Sequence, residues 1–155
     1  MRSTLLLLLP VVAFAGEKKI KPEAVPAAVV KAAAERFPKG KVTGYVEETD
    51  GTKKSYEVAF ELEGQRVELI LAPDGKLEAE ERTLAAKDLP AEVTRALAAS
   101  KYAKASLERV ERVEDLRTHA APIWEVVVLA AGVRRELVFD SSGALKKDQP
   151  AGKND

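Results

Sequence analysis

Tyr56-Glu57-Val58-Ala59-Phe60-Glu61-Leu62-Glu63-Gly64-Gln65-Arg66-Val67-Glu68-Leu69-Ile70-Leu71 is the stretch that decides the fold. Tyr56, Val58, Phe60 and Leu62 alternate with Glu57, Ala59, Glu61 and Glu63, a period of two that marks a half-buried strand. Glu63-Gly64 reads as a two-residue turn, since glycine accepts the positive φ that such turns demand. The turn pairs Phe60 with Val67, Val58 with Leu69 and Tyr56 with Leu71, all facing one way, and sets Glu61 opposite Arg66. Pro73-Asp74-Gly75 follows as a three-residue loop with glycine in the left-handed position, which brings Leu77 opposite Leu71.

Working outward, the same pattern returns 64 to 68 residues later. Val25-Pro26-Ala27-Ala28-Val29 reappears as Leu89-Pro90-Ala91-Glu92-Val93, and Tyr56-Glu57-Val58 as Trp124-Glu125-Val126. Gly64, Glu68-Leu69, Gly75 and Leu77 match Gly132, Glu136-Leu137, Gly143 and Leu145. Ala131-Gly132 and Ser141-Ser142-Gly143 then pair Trp124 with Phe139 and Phe139 with Leu145. A duplication is the economical reading. Each unit opens with a helix: Val29, Ala32, Ala33 and Phe37 recur at helical spacing, as do Val93, Ala96 and Leu97. Pro26 and Pro90 suit a first helical turn, Asp88 is the expected N-cap of the second helix, and Pro38 and Gly40 stop the first. Val42 and Tyr45, matching Leu107 and Val110, break strict alternation and call for a bulge or an entry turn.

The expected fold is therefore α+β, with two tandem repeats, each a helix packed on a four-stranded antiparallel sheet. The first spans 24–83, the second 84–147, with a lead over 16–23, a disordered tail over 148–155 and Arg82 to Lys87 as the connection. Units of about 60 residues bury only about 60% of their unfolded surface, so the two should pack together or share one sheet.

The chain has 155 residues, 25 basic and 25 acidic side chains, one histidine and no cysteine. Apolar residues at 46% and charged residues at 32% support a packed core. Zero net charge gives no bulk attraction to nucleic acid or anionic lipid, and the lack of cysteine removes disulfides, thiol nucleophiles and thiolate metal sites. Met1 to Thr4 carries Arg2, Leu5 to Val12 is apolar, and Ala13-Phe14-Ala15 offers small residues where a signal peptidase reads. That order predicts a secretory signal over 1–15, cleaved before Gly16, and a periplasmic or secreted protein. The apolar run is shorter than the roughly 20 residues that span a bilayer, so no membrane association is expected once the signal is removed.

At this point the residues carry a likeness. Val25-Pro26-x-x-Val29, Phe37-Pro38 near the helix end, Tyr56-Glu57-Val58, Gly64 and Gly75-x-Leu77 resemble the PepSY-like domains, duplicated periplasmic modules described as β-lactamase-inhibitor-like. The resemblance covers residues 24–147 and implies a secreted, non-enzymatic protein that binds or restrains a peptidase or another envelope protein. The alternative is a structural or stress-related envelope protein with no dedicated ligand. Two departures stand out: Lys101-Tyr102-Ala103 replaces the aromatic-Pro pair, and Ser141-Ser142-Gly143 lacks the acid of Pro73-Asp74-Gly75. No family motif fixes a catalytic residue.

Chemistry-bearing patterns are sparse. His119 has only Glu114 and Asp115 nearby in sequence and reads as a solvated loop residue. The acids Glu47-Glu48, Glu78, Glu80-Glu81, Glu111 and Glu114-Asp115 alternate with Lys and Arg as wet strand faces do. Asp50-Gly51 and Asp74-Gly75 read as turns, not calcium loops. No catalytic, cofactor-binding or metal site is expected. One feature stands apart: on the outward face of the second hairpin Val127, Leu129 and Val138 are apolar where water-facing residues belong, with Arg134 at the rim. Either another part of the chain covers this patch, or a protein partner does, or the surface tolerates it.

Overall fold

The computed structural model describes residues 16–118 and 120–151, so the expected signal segment and His119 lie outside the described residues. Chain order gives β1 (Gly16–Lys19), α1 (Ala27–Arg36), β2 (Lys41–Asp50), β3 (Lys53–Leu62), β4 (Gln65–Leu71), β5 (Leu77–Thr83), α2 (Ala91–Ala99), β6 (Ser106–Asp115), β7 (Ile123–Ala130), β8 (Val133–Phe139) and β9 (Leu145–Pro150). All nine strands form one sheet whose spatial order is their chain order, each antiparallel to its neighbours.

This corrects the expected pair of tandem repeats, each a helix on its own four-stranded sheet. The molecule is one mostly-sheet structure: β5 and β6 pair from Ala79↔Asp115 to Thr83↔Glu111, and Leu84 N–H donates to the Val110 carbonyl at 2.8 Å just beyond. Residues taken as a connection are thus partly strand. The physical reason is edge satisfaction: two separate sheets would leave β5 and β6 with unpaired backbone groups, which one continuous ladder fills. The lead supplies β1, paired from Gly16↔Thr49 to Lys19↔Val46. The expected tail begins inside β9, where Asp148 pairs with Leu137 and Pro150 with Arg135.

The hairpin registers hold as the sequence requires. Phe60↔Val67, Val58↔Leu69, Tyr56↔Leu71 and Glu61↔Arg66 form in the first, Trp124↔Phe139 and Phe139↔Leu145 in the second. Register shifts fall at Val42/Gly44 and at Leu107/Arg109, the two places where alternation failed. Both helices lie on one face. Val29, Ala33 and Phe37 of α1 pack on Tyr56, Val58, Phe60, Val67, Leu69 and Leu71. Val93 of α2 packs with Trp124, Val126, Val128, Leu137 and Phe139. Parity carries the face across the seam: Glu80, opposite Leu69, reaches Arg36 of α1 at 2.8 Å, and Val110, in phase with Glu114 opposite Glu80, lies across from Val126.

Neither helix has a side-chain N-cap; Pro26 and Pro90 hold that position, and Asp88 sits upstream in a 3-10 turn. Gly75 (φ +85°) and Gly143 (φ +82°) anchor each helix entrance to the sheet. A Cβ on Gly75 would lie 2.6 Å from the Ala28 carbonyl oxygen, and one on Gly143 would lie 2.5 Å from that of Glu92. Glycine is required twice over there, by its dihedral and by the backbone that abuts it.

Candidate functional site

The sheet face opposite the helices carries no covering element among the described residues, yet much of it is buried. Ala59, Ile70, Val127 and Val138 lie on it, with Val127 only 1% and Val138 only 2% exposed. Their burial follows from the long Glu and Arg side chains of the neighbouring strands: Val127 lies between Arg109 and Glu136, and Val138 opposite Glu125. The expected apolar patch is therefore divided: Val127 and Val138 are covered, whereas Leu129 and Arg134, directly opposite one another, are half-buried at the end of the β7–β8 hairpin.

The face opposite the helices is lined with glutamates. Glu68 of β4 stands directly opposite Glu81 of β5, and Glu111 of β6 opposite Glu125 of β7. Glu57 of β3 stands diagonally across from Glu68 of β4 on the same face. The Arg66 guanidinium is hydrogen-bonded to Glu68 and lies 3.9 Å from Glu57. Arg109 Nε lies 3.2 Å from Glu111, and the Thr83 hydroxyl donates to Glu111 at 3.4 Å. At the β2 side the Ser55 hydroxyl donates to Glu48 at 3.3 Å; at the β9 side the Gln149 amide donates to Glu136 at 2.6 Å.

Glu48, Glu68, Glu111 and Glu136 are buried, as is Asp115. The expectation that Glu48, Glu111 and Asp115 are wet is thereby corrected, as it is for Glu80, which is buried on the helix side between Arg36 and Arg82. Period-two glutamates in one phase on strand after strand were the available signal; what one strand's sequence lacks is the neighbouring strands that dry them. Burial raises the Glu48 pKa to about 7, against the pull of the Ser55 hydroxyl. Burial and the neighbouring Glu68 carboxyl raise Glu57 to about 9. Glu68 is held down against its burial by the neighbouring Glu57 carboxyl and by the hydrogen bond and positive charge of Arg66. Burial and four neighbouring carboxylates push Glu81 well above the usual range.

Among the described residues no group of three or more His, Asp and Glu side chains is placed to hold a metal ion, and no helix is long and apolar enough to cross a membrane. This face is thus a surface of carboxylates, guanidinium groups and buried apolar side chains, with half-buried Leu129 and Arg134 at the end of the β7–β8 hairpin.

No family model matches the sequence, and no curated protein matches it. Solved structures do. A candidate periplasmic protein of Bacteroides eggerthii superimposes with a TM-score of 0.69 at 20% identity, over 81% of this chain and 88% of its own. A DUF2874 family protein of Bacteroides uniformis gives 0.69 at 19% identity, over 81% and 89%. A BLIP-like protein of Bacteroides fragilis gives 0.63 at 20% identity, over 83% and 87%. At such identities the likeness shows a common fold, the BLIP-like/DUF2874 fold, and nothing finer.

Proposed function

We propose that this chain is a PepSY-like binding protein of the periplasm, or a secreted one, that acts without catalysis and restrains a peptidase or another envelope protein. The observation that carries this reading is the long sheet face that, among the described residues, no helix covers. Such a face is open to a partner, and Arg134, opposite half-buried Leu129, supplies a guanidinium of the kind that anchors many interfaces. The fold held in common with a BLIP-like protein supports the same reading. Burial of Val127 and Val138 favours the second reading, a structural envelope protein with no dedicated ligand, because it removes two of three apolar contacts from a partner's reach.

The two readings separate in one experiment. The tagged chain is incubated with periplasmic extract, and any stoichiometric complex is titrated with Leu129→Asp, Arg134→Glu and, on the exposed face of α1, Lys31→Glu. The binding reading expects the first two variants to weaken the complex at least about tenfold, roughly 1.4 kcal/mol, with Lys31→Glu neutral. A complex indifferent to both Leu129→Asp and Arg134→Glu, or none at all, favours the structural reading.

A further inference from the structure

β5 and β9 occupy matching places after the two central hairpins, yet they are held by different means. β5 pairs on both sides, with β4 and β6, and its Leu77 packs on the first core. β9 is the last strand of the sheet and, among the described residues, pairs with β8 on one side. Leu145 stands opposite Phe139 as Leu77 stands opposite Leu71, but it is 45% exposed. No residue of β9 is buried. β8 behind it is a core strand, with Glu136, Leu137, Val138 and Phe139 all buried. β9 thus adds a backbone ladder while burying little apolar surface, the contribution that most resists local opening.

Side-chain contacts take over from the missing burial. Asp148 is the counterpart of Glu80, each standing opposite the core leucine of the strand before it, Leu137 and Leu69. Glu80 is buried between Arg36 and Arg82. Asp148 is partly exposed and accepts from the Tyr102 hydroxyl and Lys101 at 2.9 Å and from Arg135 Nε at 2.8 Å. Beside it the Gln149 amide donates to Glu136 at 2.6 Å, and Ala151 N–H donates to the Arg134 carbonyl at 3.2 Å. All these contacts lie beyond the register shift at Val138/Phe139, where Lys146 is the extra residue. On the near side of the shift the turn is fixed: Asp140 accepts from Ser142 and Ala144 backbone N–H, and Gly143 abuts the Glu92 carbonyl. A fixed turn, a bulge and then a strand without a buried residue make a hinge followed by a strap. We propose that β9 is an exchangeable edge strand with Asp148 as its catch. It opens while the rest of the sheet stays folded, and it yields its place on β8 to an extended segment of a partner protein that carries a carboxylate. Strand addition offers main-chain hydrogen bonds to any extended segment, so side chains decide which one fits. Here Lys101, Arg135 and the Tyr102 hydroxyl select the carboxylate, and Lys101 is largely exposed to an incoming group.

Native-state hydrogen exchange of the whole chain tests the opening. Amides that join β9 to β8 are expected to exchange at least about 100-fold faster than those at the centre of the β3–β4 hairpin. Their exchange should be insensitive to low urea, because little surface is exposed when they open. Phe37→Ala, which strikes the other core, should speed the β3–β4 centre about 100-fold and leave β9 unchanged. Should Phe37→Ala fail to fold, the urea dependence of the wild-type chain decides. A synthetic peptide of residues 144–151, titrated to about 5 mM into isotopically labelled chain, stands for the partner segment. The Asp148→Asn chain, its catch released, should bind this peptide about fivefold more tightly than the wild-type chain does. A peptide carrying Asp148→Asn should bind at least about fivefold more weakly to either chain. Amides of β9 that exchange only with the hairpin centre, no peptide bound by the Asp148→Asn chain, or binding indifferent to the peptide carboxylate would overturn the proposal.

Discussion

The two helix ends lock onto the same sheet by different chemistry. At the end of α1, Phe37 packs edge-on against Phe60 with ring centroids 5.4 Å apart, and the guanidinium groups of Arg36 and Arg82 lie over it at 5.6 and 5.8 Å. Beyond α2 the aromatic is Tyr102, buried against the second core, and its hydroxyl donates to Asp148 of β9 at 2.9 Å. Asp148 also accepts from Lys101 at 2.9 Å and from Arg135 Nε at 2.8 Å. An apolar stack can fasten a helix to strands whose position is already fixed. A hydroxyl and a carboxylate can in addition fasten an edge strand, and that bond recruits β9 from residues that look like a frayed end.

The contrast predicts unequal losses. Phe37→Ala removes the stack and leaves a cavity; chemical denaturation should show a loss of about 3 kcal/mol that is the same at pH 4 and pH 7. Comparable in size, about 3 kcal/mol, is the expected cost of Gly143→Ala, where a positive φ and the Glu92 carbonyl both oppose a Cβ. Gly132→Ala, with positive φ but open space around it, should cost about 1 to 2 kcal/mol in the same assay. Equal losses at the two glycines would refute the close approach of α2 to the turn. Smallest is Asp148→Asn, about 1 kcal/mol at pH 7 for a partly exposed carboxylate. Because its folded pKa is lowered to about 2 from 3.8, that difference should shrink as pH falls through this interval, which separates the polar lock from the apolar one.

Much of this architecture could be read from local pattern. Alternation along Tyr56–Leu62 and Val67–Leu71, with Gly64 at the turn, leaves one register that keeps apolar residues together. The spacing faults at Val42 and Leu107 marked the bulges. What escaped was non-local. The β5–β6 seam sets Glu80 against Glu114 and Arg82 against Arg112, a charged pairing with no apolar stripe to announce it. Its like charges are offset along each strand, Arg82 to Glu80 at 2.6 Å and Arg112 to Glu114. Asp140 likewise supplies the acid that Ser141-Ser142-Gly143 lacks, accepting from Ser142 and Ala144 backbone N–H at 2.9 and 3.0 Å, two residues earlier than the first turn suggests. On the face opposite the helices, whether Val127 is covered or exposed depends on Arg109 of β6 and Glu136 of β8 lying beside it, which its own strand does not encode.

The account stands on one continuous sheet with both helices on one face and the other face uncovered by any helix among the described residues. Native-state hydrogen exchange across β5 and β6 tests this most directly. If the sheet is continuous, seam amides open with the same free energy as those at the centres of the β3–β4 and β7–β8 hairpins, in one cooperative unit. Seam amides that exchange far earlier, with the two hairpins losing protection in separate steps, would mean two independent units and no shared face.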